Sequence, residues 1–512
     1  MYGSVNSLAM IGLEARQVCV EADISDGLPV FDMVGYLAKE VNEARERVRT
    51  ALKNSGIHMP PKRITVNISP GDIRKNGTSF DLAVAVSLMT AMEMIDPSMT
   101  GGMMIFGELN LQGKVMPVPG ILPMVIEARM RGFKKCIVPL DNVEEGSIIE
   151  GIDVIGVESI EETLLYLTGK ILIEPVKNDL EDLLLKNGKT ENADFSEVNG
   201  QQEVKRAMEI AAAGMHNILI IGPPGAGKTM AAKRLPGILP ALSSKECMEL
   251  TKIYSISGLL SNKDGLVTCR PFVNPHHTIT PQALSGGGTI PKPGECSLAH
   301  KGVLFLDELP EFSKSALEIL RQPLEDREVR ISRTHGNYIY PADFLLCAAM
   351  NPCKCGYYPD RSRCSCTESD VKKYLSRISG PLLDRIDICV EASRMGFEEL
   401  CKSSEKNESS ETIRKRVEKA AAIQQERYKG TGIRFNSELR SRDVEKYCRL
   451  GKKEERLLKK AYEMLGLSAR SCHRIIKCAR TIADLDGSEA IKEMHISEAI
   501  AYKSIDRRYW NG

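Results

Sequence analysis

The stretch ILIIGPPGAGKTMAAKRL, residues 218–235, decides the fold of the middle of this chain. Four apolar residues lead into a glycine-rich loop, and the loop leads into a run of helix-forming residues. A strand, a loop and a helix in this order point backbone N–H groups and the positive end of the helix dipole at phosphate oxygens. The sequence therefore predicts a phosphate-binding loop made by Gly222, Pro223, Pro224, Gly225, Ala226, Gly227, Lys228 and Thr229.

The second half of such a site is a buried strand that ends in acidic residues, and GVLFLDEL, residues 302–309, has that pattern. We expect Lys228 to contact the β- and γ-phosphates, and the Thr229 hydroxyl and Asp307 to bind Mg²⁺. Glu308 is placed to orient or deprotonate the attacking water. ATP and Mg²⁺ are therefore the expected cofactors.

Further segments resemble those of AAA+ ATPases. LCAAMNP, residues 346–352, resembles the AAA+ strand whose Asn, here Asn351, senses the γ-phosphate. GPLLDRIDI, residues 380–388, resembles the segment of the arginine finger and assigns that role to Arg385, with a surface salt bridge as the alternative. LSARSCHRIIKCARTIADL, residues 467–485, resembles the segment of the second sensor arginine, here Arg470, with Arg474 as the alternative. Because an arginine finger acts on the neighbouring subunit's nucleotide, the resemblance implies a homo-oligomer.

Composition narrows the class of protein. Of the 512 residues, 42% are hydrophobic and 27% are charged, as in globular proteins, and the length indicates about two to four domains. The formal net charge is +1, so DNA would have to be bound by local basic patches. No apolar run reaches the roughly 18 residues that cross a bilayer, and the first residues lack a signal-peptide pattern. We expect a cytoplasmic protein without a membrane partner.

Polar segments divide the chain. We expect an N-terminal domain at residues 1–175, a linker at 176–194, the ATPase core at 195–393, a second linker at 394–411 and a helical domain at 412–512. In the first domain the patterns predict helices at 39–55, at 80–94 and ending near 131, and strands at 64–68, 103–106 and 136–139. In the last domain they predict helices at 412–428, 440–448, 454–465, 469–485 and 497–502.

Three longer blocks identify a family. PHHTITPQALSGGGTIPKPGECSLAHKGVLFLDELPEF, RQPLEDREVRISR and AMNPCKCG, which begin at residues 275, 321 and 349, resemble the magnesium-chelatase-like AAA+ proteins, specifically the bacterial ComM/YifB family. The resemblance covers nearly the whole chain. It implies a P-loop AAA+ α/β/α core, a C-terminal all-helical lid, a hexameric ring and a hairpin at about residues 328–343.

The N-terminal third resembles the proteolytic domain of Lon proteases, an α+β fold. KNGTSFDLAVAVSL, residues 75–88, resembles the nucleophile segment, with Ser79 at the serine position. At the position of the catalytic lysine, however, this chain has Leu122. Because a serine hydroxyl without a base is a weak nucleophile, we expect Ser79 to be structural and the domain to be a degenerate scaffold.

A cysteine cluster follows the segment of Asn351. NPCKCGYYPDRSRCSCT, residues 351–367, contains Cys353, Cys355, Cys364 and Cys366 in the spacing C-x-C-x8-C-x-C. Four thiolates can complete one tetrahedral Zn²⁺ site, which would be structural. Reduced free thiols and a redox disulfide are the alternatives.

The family resemblance implies a ring motor that acts on single-stranded or branched DNA. Its function would be that of a helicase or branch-migration translocase in homologous recombination and natural transformation. The expected DNA contacts lie on or beside the hairpin and the glycine-rich insertion, at Arg327, Arg330, Arg333, His335 and Lys292, with solvated surface charges as the alternative. A chelatase-like ATPase that remodels a protein partner and a Lon-like ATP-dependent protease are the other functions considered.

Overall fold

The structure is a computed structural model that describes residues 1–178, 183, 193–260, 265–288, 290–333, 336–394 and 407–510. These residues form two β-sheets with helices around them, followed by a group of helices at the C-terminal end. Among the described residues, no helix is both long and apolar enough to cross a membrane.

The N-terminal part contains a seven-stranded sheet. The strands of this part are β1 (Tyr2–Ile11), β2 (Glu14–Ser25), β3 (Val30–Val34), β4 (Arg63–Ser69), β5 (Met103–Ile105), β6 (Glu108–Leu109), β7 (Val115–Met116), β8 (Lys135–Pro139) and β9 (Asp153–Val157). The order in the sheet is β3-β4-β2-β1-β5-β8-β9, and β6 and β7 form a separate antiparallel pair. The long strands β1 and β2 form an antiparallel hairpin, whereas β5, β8 and β9 are parallel to one another.

Helices cover this sheet. They are α1 (Lys39–Asn54), α2 (Asp81–Ala91), α3 (Pro97–Thr100), α4 (Ile121–Met130), α5 (Val143–Gly146) and α6 (Ile160–Leu167). Helix α1 buries Val41, Ala44, Val48, Ala51 and Leu52, the apolar face that its sequence spacing predicts. Helix α2 is buried on every side, because it packs against both β1 and β2 as well as α1. The predicted helices and strands of this part are confirmed, with ends that differ by up to three residues.

The middle part contains a five-stranded sheet in which every pairing is parallel. Its strands are β10 (Ile218–Ile221), β11 (Phe272–Val273), β14 (Val303–Leu306), β17 (Leu345–Met350) and β18 (Ile388–Glu391). They lie in the order β11-β14-β17-β10-β18, and all of their residues except Phe272, Val273 and Glu391 are buried. Because the strands are parallel, their carboxyl ends meet at one edge of the sheet, where ligands bind in open α/β folds.

The helices of this middle part lie around the sheet and in its connections. They are α7 (Gln202–Gly214), α8 (Lys228–Ala232), α9 (Ser244–Ser257), α10 (Pro281–Ser285), α11 (Glu295–Leu298), α12 (Lys314–Ile319), α13 (Pro323–Asp326), α14 (Glu368–Leu375) and α15 (Gly380–Leu383). A hydrophobic core on one side of the sheet joins α7 and α8 to buried residues of β10, β17 and β18.

Two small β-ribbons project from the connections of the middle sheet. One is β12 (Gly286–Gly287) with β13 (Lys292–Pro293), and the other is β15 (Glu328–Arg333) with β16 (Gly336–Pro341). The second is the predicted hairpin. The ribbons pack together, because Tyr340 donates a hydrogen bond from its hydroxyl to the carbonyl oxygen of Pro291, 2.6 Å away.

Among its described residues, the C-terminal part contains helices and their connecting loops but no β-strand. It comprises α16 (Ser410–Arg427), α17 (Ser441–Tyr447), α18 (Lys452–Leu465), α19 (Ala469–Leu485) and α20 (Glu493–Trp510). The predictions for the first four are confirmed within two residues. The fifth prediction, 497–502, was too short, because the buried face of α20 includes His495, Lys503 and Asp506 and therefore lacks an apolar period.

Candidate nucleotide-binding site

The phosphate loop connects strand β10 to helix α8 at the carboxyl edge of the middle sheet. Gly225 and Gly227 have φ angles of 77° and 78°, in the left-handed region that glycine adopts without strain. Gly222 is needed for a different reason, since a Cβ there would lie 2.6 Å from the carbonyl oxygen of Ala392. The backbone of the loop can therefore turn its N–H groups inward, as a phosphate cradle requires.

Lys228 is held inside this loop. Its ammonium donates hydrogen bonds to the carbonyl oxygens of Gly222 and Pro223, at 2.8 and 2.9 Å, and to Oδ1 of Asn351 at 3.0 Å. Burial lowers the pKa of Lys228, and the nearby carboxylates of Asp307 and Glu308 oppose that shift. The structure thus brings together the predicted phosphate lysine and the predicted γ-phosphate sensor, which follows strand β17.

Thr229 and Asp307 also meet. The Thr229 hydroxyl donates to Oδ2 of Asp307 at 2.6 Å, joining the first turn of α8 to the end of β14. A hydroxyl and a carboxylate oxygen are hard ligands of the kind that Mg²⁺ binds. These two side chains are therefore suited to hold the metal ion of a nucleotide complex.

Glu308 follows Asp307 and has a φ of 52°, an uncommon conformation for a residue other than glycine. Strained backbone of this kind concentrates at functional sites. The side chain of Glu308 is 57% exposed, and its Oε2 lies 3.6 Å from Nδ1 of His277. A carboxylate that is exposed at the edge of the site can reach a water molecule, whereas Asp307 is bound to Thr229.

Two residues at the site were not predicted. Gln201 donates from its side-chain amide to the carbonyl oxygens of Ala226 and Ser393, at 3.1 and 2.6 Å, and so fixes the back of the phosphate loop. His277 contacts Glu308. Both contacts join residues that are distant in the sequence, and neither lies in a spacing pattern that would have identified it.

The two predicted arginines, Arg385 and Arg470, line a cleft whose described lining residues do not include the phosphate loop of their own chain. This open cleft of about 1060 Å³ lies between the core and the C-terminal helices. Arg385 is mostly buried and donates to the carbonyl oxygens of Pro381 and Arg321, at 2.8 and 3.1 Å, and to the carboxylate of Glu325. Within one chain, the structure therefore does not bring these arginines together with Lys228.

Arg474, the alternative to Arg470, has a different environment in the same cleft. Its guanidinium donates to the buried carboxylate of Asp387, which also accepts from the backbone N–H of Asn217 at 3.0 Å. Burial alone would raise the pKa of Asp387, but Arg474, His216 and Lys477 lower it well below its usual value. Arg474 thus connects helix α19 to the segment that carries Arg385.

The four predicted cysteines form one cluster. Their Sγ atoms all lie within 4.8 Å of one another, and three of the separations are 3.3, 3.5 and 3.8 Å. All four cysteines are free, so the structure contains no disulfide there. Burial would raise the pKa of Cys355, but hydrogen bonds from the backbone of Tyr357 and from Cys353 outweigh it and lower the pKa to about 6. Burial and the contacts with Cys355 and Cys353 raise the pKa of Cys364, so Cys355 and not Cys364 is favoured as the thiolate in this structure.

The candidate DNA contacts differ in their surroundings. Arg330 is 61% exposed, although it forms an ion pair with Glu328 at 2.6 Å, and Arg333 and Lys292 are also exposed, on the hairpin and on the neighbouring ribbon. Arg327 is less exposed and is bound to two carboxylates, those of Asp343 and Glu438, at 3.1 and 3.0 Å, so we leave it out of the proposed DNA surface. His335 lies outside the described residues.

A parallel sheet with a phosphate loop, an acidic strand end and a sensor asparagine defines a P-loop protein of the AAA+ type. Residues 194–400 match the family described as magnesium chelatase, subunit ChlI. Residues 20–142 match the description subunit ChlI of Mg-chelatase, and residues 407–503 match its C-terminal part. The class is therefore that of the magnesium-chelatase-like AAA+ proteins.

Individual relatives define the family more narrowly. The protein YifB of Salmonella typhimurium is 41% identical over 507 residues, which are 98% of this chain and 97% of that protein. The competence protein ComM of Haemophilus influenzae is 40% identical over 509 residues, again 98% and 97% of the two chains. The chain belongs to the ComM/YifB family of magnesium-chelatase-like AAA+ proteins. This AAA+ family implies an ATPase that uses ATP and Mg²⁺ and assembles as an oligomer.

A third similarity is partial. Lon protease 2 of Bacillus subtilis is 28% identical over 192 residues, which are 34% of this chain and 33% of that protein. This similarity is weak support for the predicted Lon-like N-terminal domain.

Proposed function

We propose that this chain is the subunit of an ATP-hydrolysing hexameric ring that moves along branched DNA, as a helicase or branch-migration translocase in recombination and transformation. One observation carries the ATPase part of the proposal. Hydrogen bonds from Lys228 to Asn351 and from Thr229 to Asp307 join the phosphate loop to the ends of two adjacent strands. The four groups that would grip a triphosphate and its metal ion are thereby placed at one edge of the sheet.

Each side chain of this edge has a chemical task. The ammonium of Lys228 would stabilise negative charge on the β- and γ-phosphates, and Thr229 and Asp307 would hold Mg²⁺, which would supply positive charge to the phosphate oxygens. Glu308 accepts a proton from the attacking water, because its exposed carboxylate lies beside the site without being bound to Thr229. The side-chain oxygen of Asn351 accepts a hydrogen bond from Lys228, which would hold Asn351 in position to contact the γ-phosphate.

The position of Arg385 supports a ring. Arg385 and Arg470 line a cleft that the phosphate loop of the same chain does not line, so a neighbouring subunit would have to bring its nucleotide to them. A guanidinium at that place neutralises charge in the transition state, as arginine fingers do. Hydrolysis would then require two subunits, each supplying half of the site.

DNA as the load is supported by the two ribbons and by the relative's name. Arg330, Arg333 and Lys292 place exposed positive charge on neighbouring ribbons, where they can neutralise DNA phosphates. The name competence protein ComM connects a relative of similar length to competence. A net charge of +1 makes such a local surface necessary, because the whole protein does not attract DNA.

The N-terminal domain fits a scaffold better than a protease. Ser79 is 8% exposed, and Leu122, at the position where Lon proteases have lysine, is fully buried. An apolar side chain cannot accept the proton of a serine hydroxyl. We therefore propose that the domain is a degenerate Lon-type fold in a cytoplasmic motor.

The test is the ATPase rate of the purified full chain with different additions. We expect a four-way DNA junction to accelerate the basal rate, and we expect casein and a tetrapyrrole to leave it unchanged. Acceleration by casein would favour the protease, and acceleration by a tetrapyrrole together with a protein partner would favour the chelatase. An inert monomer with and without DNA would reject the proposal.

A further inference from the structure

The segment that carries the four cysteines, residues 353–366, lies against the phosphate loop, and we call it the cysteine loop. It begins two residues after Asn351, which accepts the hydrogen bond of Lys228. It approaches the phosphate loop closely at Gly356, where an added Cβ would lie 2.4 Å from Cδ of Pro224. The backbone of the cysteine loop therefore touches the proline ring, with no room for a methyl group between them.

The loop itself has little regular structure to hold it there. Residues 351–367, all of which the structure describes, contain neither helix nor strand. Loops of this length without secondary structure are uncommon in compact domains unless something braces them. The loop packs on the hydrophobic core through Cys353 and through Tyr358, whose ring centroid is 6.1 Å from that of Tyr509 of α20. The sulfur cluster joins the two ends of the loop, since Cys353 and Cys355 meet Cys364.

The geometry of the cluster fits a zinc ion. Four thiolates at the usual Zn–S distance of about 2.3 Å form a tetrahedron with edges of about 3.8 Å. The separations of 3.3, 3.5 and 3.8 Å between Cys353, Cys355 and Cys364 approach that edge length, and Cys366 lies within the same 4.8 Å limit. The backbone N–H of Tyr358 donates to Sγ of Cys353 at 3.4 Å, the kind of contact that orients a metal ligand.

We propose that the four thiolates bind one Zn²⁺, and that this ion keeps Gly356 against Pro224 so that ATP affinity depends on metal occupancy. The inference rests on the proposed ATP site. The cysteine loop is joined to the site at two points, at Pro224 and through the chain to Asn351. Without the ion, residues 353–366 lose the connection between their ends, and the phosphate loop and the sensor lose their common support.

The metal site is tested first, on the full chain. We expect about one Zn²⁺ per chain by elemental analysis, and after replacement by Co²⁺ the absorption bands of a tetrahedral thiolate site. The double variant Cys364→Ser, Cys366→Ser should lose the metal, whereas Cys19→Ser, a half-buried cysteine of β2, should keep it. A wild-type chain without zinc and without cobalt bands, or a double variant that keeps the metal, would overturn the proposal.

The coupling to ATP is tested with a variant that keeps all four thiols. Gly356→Ala should retain zinc but force the cysteine loop away from Pro224, and we expect Kd for a fluorescent ATP analogue to rise about tenfold. Gly430→Ala is the matched control. The φ of Gly430, 78°, is similar to the 86° of Gly356, but no atom lies within 4 Å of a Cβ added at Gly430. Equal ATP affinity of Gly356→Ala and Gly430→Ala would reject the coupling.

A chelator provides the last comparison. Removal of zinc from the wild-type chain should weaken ATP binding, and ZnCl2, but not more MgCl2, should restore it. If the chelated chain binds ATP as well as the untreated chain, the coupling is wrong. If the untreated chain binds no ATP at all, the proposed function fails instead, and the zinc content still reports on the metal site.

Discussion

Lys228 makes three hydrogen bonds, more than any other side chain of the phosphate loop. Its removal is therefore the clearest single-residue test of ATP binding. We expect Lys228→Ala to weaken ATP binding by about 3 kcal/mol, on the order of 100-fold, because charge-assisted hydrogen bonds to phosphate are lost. The measurement is Kd for a fluorescent ATP analogue. Lys233→Ala, an exposed lysine at the end of α8, is the control and should bind normally. Similar affinities for the two variants would contradict the assigned role.

Glu308 is expected to act on water, not on ATP binding. We expect Glu308→Gln to bind ATP with wild-type affinity and to reduce kcat about 10²- to 10⁴-fold, because an amide cannot accept the proton. Binding and single-turnover hydrolysis, measured on the same preparation, separate the two effects. Glu311→Gln, three residues further along, should hydrolyse ATP normally because its partner is Arg377 at the surface. Normal turnover by Glu308→Gln would mean that another group is the base.

At the scale of elements, one buried carboxylate connects helix α19 to the segment of Arg385. Asp387 binds Arg474 of α19 and lies 3.6 Å from His216, which follows α7. Because the folded-state pKa of Asp387 is lowered, its contribution to stability is present at neutral pH and is lost as the pH falls below about 4. We expect Asp387→Asn to destabilise the chain by about 3 kcal/mol at pH 7, since it removes the buried partner of the partly exposed guanidinium of Arg474.

Thermal unfolding at pH 7 and at lower pH checks this prediction. The difference between Asp387→Asn and the wild type should shrink below about pH 4, where Asp387 is protonated in the unfolded chain but still ionised in the folded one. Asp141→Asn, at an exposed position of the N-terminal domain, should unfold like the wild type at both pH values. A pH-independent difference would show that the effect of Asp387→Asn comes from packing alone.

The elements also show what the sequence could predict. Lys228, Thr229 and Asp307 were identified because each lies in a short motif next to an apolar strand, and their contacts follow from parallel strand ends. Gln201 and His277 were missed because their contacts depend on how distant segments meet. Strands β1 and β2 were not assigned either, although they form the longest hairpin of the N-terminal sheet. The alternation in β2 is in fact regular, with Val18, Val20, Ala22 and Ile24 buried between more polar residues, so this strand was predictable from its sequence.

For the whole molecule, the central question is whether Arg385 completes the site of another subunit. We expect Arg385→Ala to bind ATP but to lose about 10³-fold in kcat, because transition-state charge is no longer neutralised. We further expect an equimolar mixture of Arg385→Ala and Lys228→Ala to regain about a quarter of the wild-type rate, since one interface in about four then joins an intact phosphate loop to an intact arginine. An arginine that acted within its own chain would give no recovery.

The control mixture combines two variants whose defects both lie in the half of the site that would bind the nucleotide. Lys228→Ala mixed with Asp307→Ala should stay inactive, because no interface then contains an intact phosphate loop with its acidic partner. Recovery in this control would indicate contaminating wild-type protein and not complementation between the two variants. The two mixtures therefore distinguish an arginine that acts on a neighbouring subunit from one that acts within its own chain.

The hairpin is where the motor would meet its load, and its two faces differ. Val329, Ile331 and Tyr340 are buried in the core, so the opposite face, with Arg330 and Ile339, remains exposed. Arg330 lies on that exposed face, whereas Arg333 shares the face of Val329 and Ile331 but is itself exposed at the end of β15. We therefore expect Arg330→Ala with Arg333→Ala to leave basal ATP hydrolysis unchanged and to remove its stimulation by DNA.

Salt dependence makes this prediction quantitative. If Arg330 and Arg333 each neutralise one phosphate, the slope of log K for DNA against log salt should fall by roughly two when both are replaced. The pair Arg45→Ala, Arg49→Ala removes the same charge from an exposed face of α1 and should leave the slope unchanged. If the two double variants have equal slopes, the hairpin arginines do not contact DNA phosphates directly. They would then affect DNA binding only through the overall charge of the protein. With a net charge of +1 the resulting field is weak, so DNA affinity in either variant would then have to come from a surface other than the hairpin.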